Sequence, residues 1–468
     1  MNKTKSFTFE TFSKSVRDFN LFINENIRKV RKNSILSFAF PVPSTNLIEK
    51  LNSFDKRFND FLFYEKPDDD ISFIAVDQLF DLKGAGKGFQ SFASSLFELK
   101  ANLISNWDEY SSYNFPFITG GVKFDSNKSS EEWNDFNPMH FFIPRAVIFQ
   151  NKGKTFLLYN FQPGIIPDVQ KVKNNFEEFS SSLMNSNNSP IRNEKSFIIQ
   201  NANEIENLQN WKKMFTVVMD NLKQDCKKVV LSRRTSFNVK DEIDWKKSFK
   251  SVANEFPNCY LFLIKSNGSR FFGASPEKFI SASGNRIEID ALAATASEKH
   301  KNFVSELMTE KNIKEHNFVI DFIKNVLSNY TDKFEIDRQP RIKKFKDVNH
   351  LHSRIIAEIK SKEKLPELID SLFPTPAVCG QPKQSAMELI NKLENFDRGL
   401  FSGLIGWMDP DLNCEFAVAI RSALYKNKKL FVYAGAGIVE ESVLEEEYAE
   451  TEFKLRTILN LFNEKNQS

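Results

Sequence analysis

The chain has 468 residues, and 64 lysines and arginines against 61 aspartates and glutamates leave a net charge of +3. The two signs are interspersed, which excludes an electrostatic footprint for nucleic acid or a membrane surface, and no segment approaches the ~20 consecutive apolar residues of a membrane span. Cys226, Cys259, Cys379 and Cys414 are widely spaced with no Cys-x-x-Cys pair, so neither a zinc site nor a disulfide framework is expected. With no apolar leader near Met1, the expectation is a soluble cytoplasmic protein, a monomer or weak dimer. The 48 phenylalanines fall at helix and strand spacing and read as core filling.

In chain order, periodicity predicts helices near 8–30, 46–63 and 87–112, interleaved with strands at Ile35–Phe40, Phe73–Val76, Ala146–Phe149 and Thr155–Tyr159. The Ser/Asn run from Phe179 to Pro190 reads as a long loop and the clearest break. It separates an N-terminal half, 1–195, from a second region, 205–466, within one structural domain. That region carries strands at Lys228–Val239, Cys259–Lys265, Lys278–Ser283, Glu288–Leu292, Glu415–Tyr425 and Lys429–Ala434. Hairpin-like turns at Ala282–Asn285 and Tyr425–Lys428 favour antiparallel pairing, hence an α+β class rather than a doubly wound sheet. Gly84-Ala-Gly-Lys-Gly88 lacks phosphate-loop spacing, and Gly435-Ala-Gly-Ile-Val-Glu440 lacks the third glycine of a dinucleotide fingerprint.

Two helices carry acids on apolar faces. Glu315 precedes the stripe Phe318, Val319, Phe322 and Val326, and Glu447, Glu450 and Lys454 share one side of a helix continuing to Ile458 and Phe462. A bare buried carboxylate costs roughly several kcal/mol, so two inward acids point to one divalent cation between them, and Mg²⁺ prefers such oxygen ligands. Lys228 opens a β-branched strand, where lost hydration disfavours its charged form and makes it a candidate general base. Pro276 fixes the backbone before Glu277, a candidate proton donor. Arg421, ending Phe416-Ala-Val-Ala-Ile-Arg421, suits a substrate carboxylate. His350 is read as contacting substrate, and His352, two residues along the same strand face, as structural.

These segments carry a resemblance. Lys228-Val-Val-Leu-Ser-Arg, Phe272-Gly-Ala-Ser-Pro-Glu277, Ala291-Leu-Ala-Ala-Thr295, Glu315-His316, Pro374-Thr-Pro-Ala377, Phe396-Asp-Arg-Gly-Leu-Phe-Ser-Gly-Leu-Ile-Gly-Trp407, Ala-Ile-Arg421-Ser-Ala and Tyr433-Ala-Gly-Ala-Gly stand in the order seen in chorismate-utilising enzymes, and the chain resembles an isochorismate synthase. Gly120-Gly-Val-Lys-Phe124, Trp133 and Phe141-Phe-Ile-Pro144 extend the likeness into the N-terminal half. The resemblance implies the fold of anthranilate synthase component I, large antiparallel sheets packed as a sandwich with helices outside. It implies an isomerase: Mg²⁺ held by Glu315 and Glu450, with Glu447 in support, binds the ring carboxylate of chorismate, Lys228 activates a water that attacks C2, and Glu277 protonates the departing C4 hydroxyl. Arg421 and Tyr433, with backbone at Gly435 and Ala436, would hold the pyruvyl carboxylate. Thr295 and His350 would lie beside the ring, with Ala377 and Lys454 further substrate contacts.

Among relatives, aminodeoxychorismate synthases place a nucleophilic lysine where this chain has Ala293, and anthranilate synthases have glutamine at the place of Lys228 and take ammonia from a glutaminase partner. Neither a covalent intermediate nor a glutaminase subunit is therefore expected. Two departures stand out: Ala294 replaces a usual glycine, and Phe373 a common histidine. A salicylate synthase, which goes on to eliminate pyruvate, and a chorismate-binding pseudoenzyme are the alternative readings. The product of the first reading would feed menaquinone or a catechol siderophore.

Overall fold

The computed structural model describes residues 9–66, 70–83, 88–163, 168–184, 198–200, 204–240, 242–297, 303–345 and 348–459. Two long strands, Ile71–Lys83 and Met139–Asn151, pair antiparallel and form a seam from which two sheets extend. One sheet runs through Phe61–Lys66, Tyr260–Ser266, Ser269–Ser275, Ser422–Lys426 and Lys429–Ile438 to Lys228–Val239. The other runs through Ile118–Val122, Leu404–Met408, Cys414–Val418, Lys278–Ser283 and Arg286–Ser297 to Val348–Glu358. All of these pairings are antiparallel; Ile35–Val42 and Leu103–Ser105 add a parallel one at an edge.

Alternation decides what each face buries. Tyr64, Tyr260, Phe262 and Phe271 of the first sheet meet Ile405, Trp407 and Ala417 of the second in one inner cluster, as in a sandwich. Over the outer face of the first sheet lie Phe19, Phe54, Trp245 and Phe249 from the helices Phe9–Asn26, Leu51–Arg57 and Trp245–Glu255. Phe89, Leu96, Val319, Ile323 and Leu368, from the helices Phe89–Ala101, Glu310–Leu327 and Leu365–Leu372, cover the second. The phenylalanines fill these layers, with Phe19 stacked on Phe176 at 3.9 Å between ring centroids. No helix among the described residues is long and apolar enough to cross a membrane.

Several elements differ from the sequence expectation. The helix expected over 46–63 ends at Arg57, and Phe61–Lys66 is a strand, because Phe61, Leu62, Phe63 and Tyr64 are buried on both faces. The helix expected to 112 stops at Ala101, before the strand Leu103–Ser105 and a 3₁₀ turn at Trp107–Tyr110. The loop expected from Phe179 is helical to Met184, since Phe176 and Ser180 lie on the buried face of Val169–Met184; 185–190 lies outside the described residues. In Glu310–Leu327 the buried stripe is His316, Val319, Ile320, Ile323 and Leu327, rotated from the expected one because the isoleucines pack more deeply than Phe318 and Phe322. The strand expected over Glu415–Tyr425 breaks into Cys414–Val418 and Ser422–Lys426.

Behind the strand Lys228–Val239 lies a fully buried ion pair. Arg398 donates to both oxygens of Glu394, at 2.8 and 2.5 Å, with side chains 2% and 0% exposed. Two further hydrogens go to the carbonyls of Val378 and Val230 at 2.9 and 2.7 Å, and Glu394 accepts the Ser232 N–H at 2.8 Å. Removing one partner of such a pair strands the other charge. Arg398→Ala is expected to cost about 3–5 kcal/mol of stability, read as a lower urea midpoint; an unchanged midpoint would show that water reaches Glu394.

Candidate active site

The strand Lys228–Val239 turns Lys228, Val230 and Ser232 to one face by its two-residue period, and the neighbouring Lys429–Ile438 turns Tyr433, Gly435 and Gly437 the same way. With Glu277, Glu315, His350, Ala377, Arg421, Glu450 and Lys454, they line one concave cleft. Pairing of Lys429–Ile438 with Ser422–Lys426 ends at Val432, while pairing with Lys228–Val239 continues to Ile438, so Tyr433–Ile438 presents an open edge to the cleft. The Gly435 carbonyl on that edge accepts from Lys454 Nζ at 2.8 Å, and its N–H points the same way. Of the two backbone groups expected to meet ligand, Gly435 is therefore on the open edge, whereas Ala436 faces its ladder partner Leu231 and packs its side chain in the core beside Trp211.

Lys228 is 1% exposed, yet its ammonium lies 2.9 Å from Glu315 Oε1. The expectation that burial alone acts on this lysine omitted its partner, a carboxylate supplied by the helix Glu310–Leu327. The approach needs Gly437: a Cβ there would stand 2.6 Å from Glu315 Oε1 and 2.8 Å from Lys228 Cε. Thr309 caps the helix that carries Glu315, its side chain accepting from Asn312 N–H.

Glu277 follows the strand Ser269–Ser275 and is pinned at both ends of its peptide unit. Its N–H donates to Ser275 Oγ at 3.2 Å, Ser275 donates on to the Val418 carbonyl at 2.5 Å, and the Glu277 carbonyl accepts the Val418 N–H at 3.1 Å. Burial, and then the charge of Asp290, push its carboxyl up to about 8 against the pull of Lys228, Lys343 and Lys454. It therefore carries a proton at neutral pH.

Arg421 interrupts the expected strand with a left-handed backbone, φ 51°, a conformation that costs a non-glycine residue about 1–3 kcal/mol. Its carbonyl accepts the Ala274 N–H at 3.1 Å, across Gly273, where a Cβ would come within 2.7 Å of that oxygen. Burial lowers the guanidinium to about 10, still charged at neutral pH, and Glu450 counters the shift. Nη2 lies 3.3 Å from His350 Nε2; since arginine only donates, His350 accepts there and carries its proton on Nδ1. Ser402, also lining the cleft, has a left-handed backbone too, φ 61°.

Glu450 pairs with Lys454 at 2.5 Å, and the buried Glu447 with Lys311 at 2.9 Å and Ser442 Oγ at 2.7 Å. Burial and the neighbouring Glu450 push Glu447 up to about 7. Lys311 is held charged by Glu447, Glu315 and Glu450 alike, which shows that the three acids converge although they come from two helices. Each carboxylate has a lysine partner, and among the described residues no three His, Cys, Asp or Glu side chains close into a metal cage. The donors are all carboxylate oxygens, the chemistry a hard divalent cation requires, so the residues present suit Mg²⁺.

Thr295 lies opposite His350 in the ladder, but its side chain, like that of Ala294, is outside the described ones. His352 sits away from the cleft beside Asp290. Sequence reasoning missed Val230, Ser232 and Gly437, although the alternation from Lys228 leads to the first two. Ser232 Oγ is buried without a hydrogen-bond partner among the described residues, an acceptor and donor left for a ligand. A titration of the infrared carboxylic-acid band that is lost in Glu277→Gln is expected to have its midpoint near 8; one near the ordinary 4.5 would show that the cleft does not hold Glu277 protonated.

The family described as chorismate binding enzyme matches residues 22–463. Isochorismate synthase MenF of Bacillus subtilis (strain 168) is 30% identical over 353 residues, 74% of this chain and 74% of that protein. The vibriobactin-specific isochorismate synthase of Vibrio cholerae is 33% identical over 240 residues, 50% of this chain and 61% of its own length. The solved structure of MenF, the menaquinone-specific isochorismate synthase from Escherichia coli, shares the fold with a TM-score of 0.75 over 95% of this chain and 100% of that one, at 19% identity. With its motifs gathered into one cleft and the match running almost end to end, the chain belongs to the chorismate-binding enzyme family.

Proposed function

We propose that the chain is an isochorismate synthase, a Mg²⁺-dependent isomerase that converts chorismate to isochorismate. The observation that carries this reading is the lysine and the protonated carboxyl facing one cleft, Lys228 and Glu277, each nearly closed to bulk water. In the reaction Lys228 accepts a proton from a water whose oxygen bonds to C2. The ring double bonds shift, the C4–O bond breaks, and Glu277 gives its proton so that the hydroxyl leaves as water. Chorismate carries two carboxylates. Arg421, charged and ordered against His350, suits the pyruvyl one, and the edge N–H of Gly435 lies nearby.

The ring carboxylate would face Glu315 and Glu450, which repel it as they stand. A cation held by those two residues, with Glu447 behind them, would supply the charge that binds and orients it. Were Glu315 to turn to such a cation, Lys228 would be left without a counter-charge inside the shielded cleft, which favours the neutral amine that proton acceptance requires. Lys228 and Ala293, where ammonia-using and covalent relatives carry glutamine and lysine, support water as the nucleophile. The proposed setting is a soluble protein acting without a glutaminase subunit.

Incubation with chorismate, with and without Mg²⁺, is expected to give a Mg²⁺-dependent mixture of chorismate and isochorismate on chromatography. Salicylate with pyruvate would move the reading to the lyase alternative, and binding without any product to a pseudoenzyme. Gly437→Ala, which pushes both Lys228 and Glu315 from their places, is expected to lower kcat by roughly a hundred-fold with the fold intact by circular dichroism. An unchanged kcat would show that neither side chain has to stand where it does.

A further inference from the structure

Two residues further along the same strand faces, beyond Leu292 and His350 of the cleft, Asp290 and His352 line a second polar cavity of about 430 Å³ together with Lys343, Lys278 and Tyr260, among others. The reaction outlined above uses none of these groups. Asp290 is 7% exposed, and its two oxygens are gripped from different strands: His352 Nε2 lies 3.0 Å from Oδ1 and Lys343 Nζ 3.6 Å from Oδ2. Those contacts hold its carboxyl down at about 2 despite burial, so it stays ionised across the working range. Lys343 also donates to the carbonyl of Pro276 at 3.1 Å, the peptide that leads into Glu277. One ammonium thus ties a buried anion to the turn that carries the proposed acid.

We propose that Asp290, gripped by His352 and Lys343, is a positioning residue for Glu277, fixing its turn and supplying the buried negative charge against which its proton is retained. This rests on the reading of Glu277 as proton donor. A buried anion beside a carboxyl disfavours a second negative charge, and a nearby ammonium does the opposite. The charged groups acting on Glu277 from the elements around it are Asp290 on Arg286–Ser297, Lys228 on Lys228–Val239, Lys343 on Arg341–Phe345 and Lys454 on the helix Leu444–Leu459. Asp290 in turn feels His352, Lys343 and Lys278, and it acts on Tyr260 and Arg354. Asp290 is the only carboxylate among the principal influences on Glu277; the other three are cations.

The two members of the tie therefore have opposite signs. In Asp290→Asn the alkaline limb of kcat/KM is expected to move down by about one pH unit, which lowers the rate at pH 8 roughly five-fold. In Lys343→Met the limb is expected to move up, while kcat falls from the loosened turn with KM little changed. Asp290→Glu, which restores the charge, should return the limb toward its original position. Limbs that stay in place, or move in the same direction in both variants, overturn the proposal. The infrared titration of Glu277 in the chain without substrate reads the same opposite displacements whether or not chorismate is turned over. Opposite displacements without turnover would therefore retain this inference and remove the catalytic reading alone, and no displacement would remove the inference. If Asp290→Asn does not fold, Lys343→Met decides by the sign of its shift.

Discussion

The cleft depends on a charge pair that never touches it. Arg398 and Glu394 are closed to water, and two ions in that setting need further hydrogen bonds around them. They find these in the carbonyls of Val378 and Val230 and the N–H of Ser232, the last two being groups that face away from the neighbouring strand Lys429–Ile438. Satisfying the pair thus satisfies the back edge of Lys228–Val239. That fixes which way Lys228, Val230 and Ser232 turn.

On the front of the same strand the electrostatics are balanced differently. Three glutamates and three lysines neutralise one another in pairs at the cleft, with Arg421 and the uncharged Glu277 beyond them. The pairing lowers the cost of holding these charges without ligand, and Arg421, beside the uncharged ring of His350, stands outside the pairs. Ligand carboxylates compete for the cations while a bound metal competes for the acids, and the separations of 2.5 to 2.9 Å show how tightly the resting partners hold.

Much of the fold and the site was legible from the sequence. Lys228, Glu277, Glu315, His350, Arg421 and Glu450 stand in motifs whose order is informative, and the structure brings them to one cleft. The alternating strands and the two hairpin turns were readable for the same local reasons. What escaped was decided by contacts between distant segments. Nothing around Lys228 announces Glu315, nothing around Pro276 announces Lys343, and the apolar run through Arg421 reads as unbroken because its left-handed kink is held by Ala274 from another strand. Phe61–Phe63 reads as helix because a strand buried on both faces loses the alternation that identifies one.

The open edge of Lys429–Ile438 has a consequence for biogenesis. An unpaired strand edge is a template on which another chain can add, and this one cannot be closed by a further strand without obstructing the Gly435 backbone. It is guarded instead by the helix Leu444–Leu459, whose Lys454 caps the Gly435 carbonyl. That helix follows the strand in the chain, so the edge is covered only once the helix has docked. The backbone that admits ligand in the finished protein thus owes its protection from edge-to-edge pairing to a segment made after it.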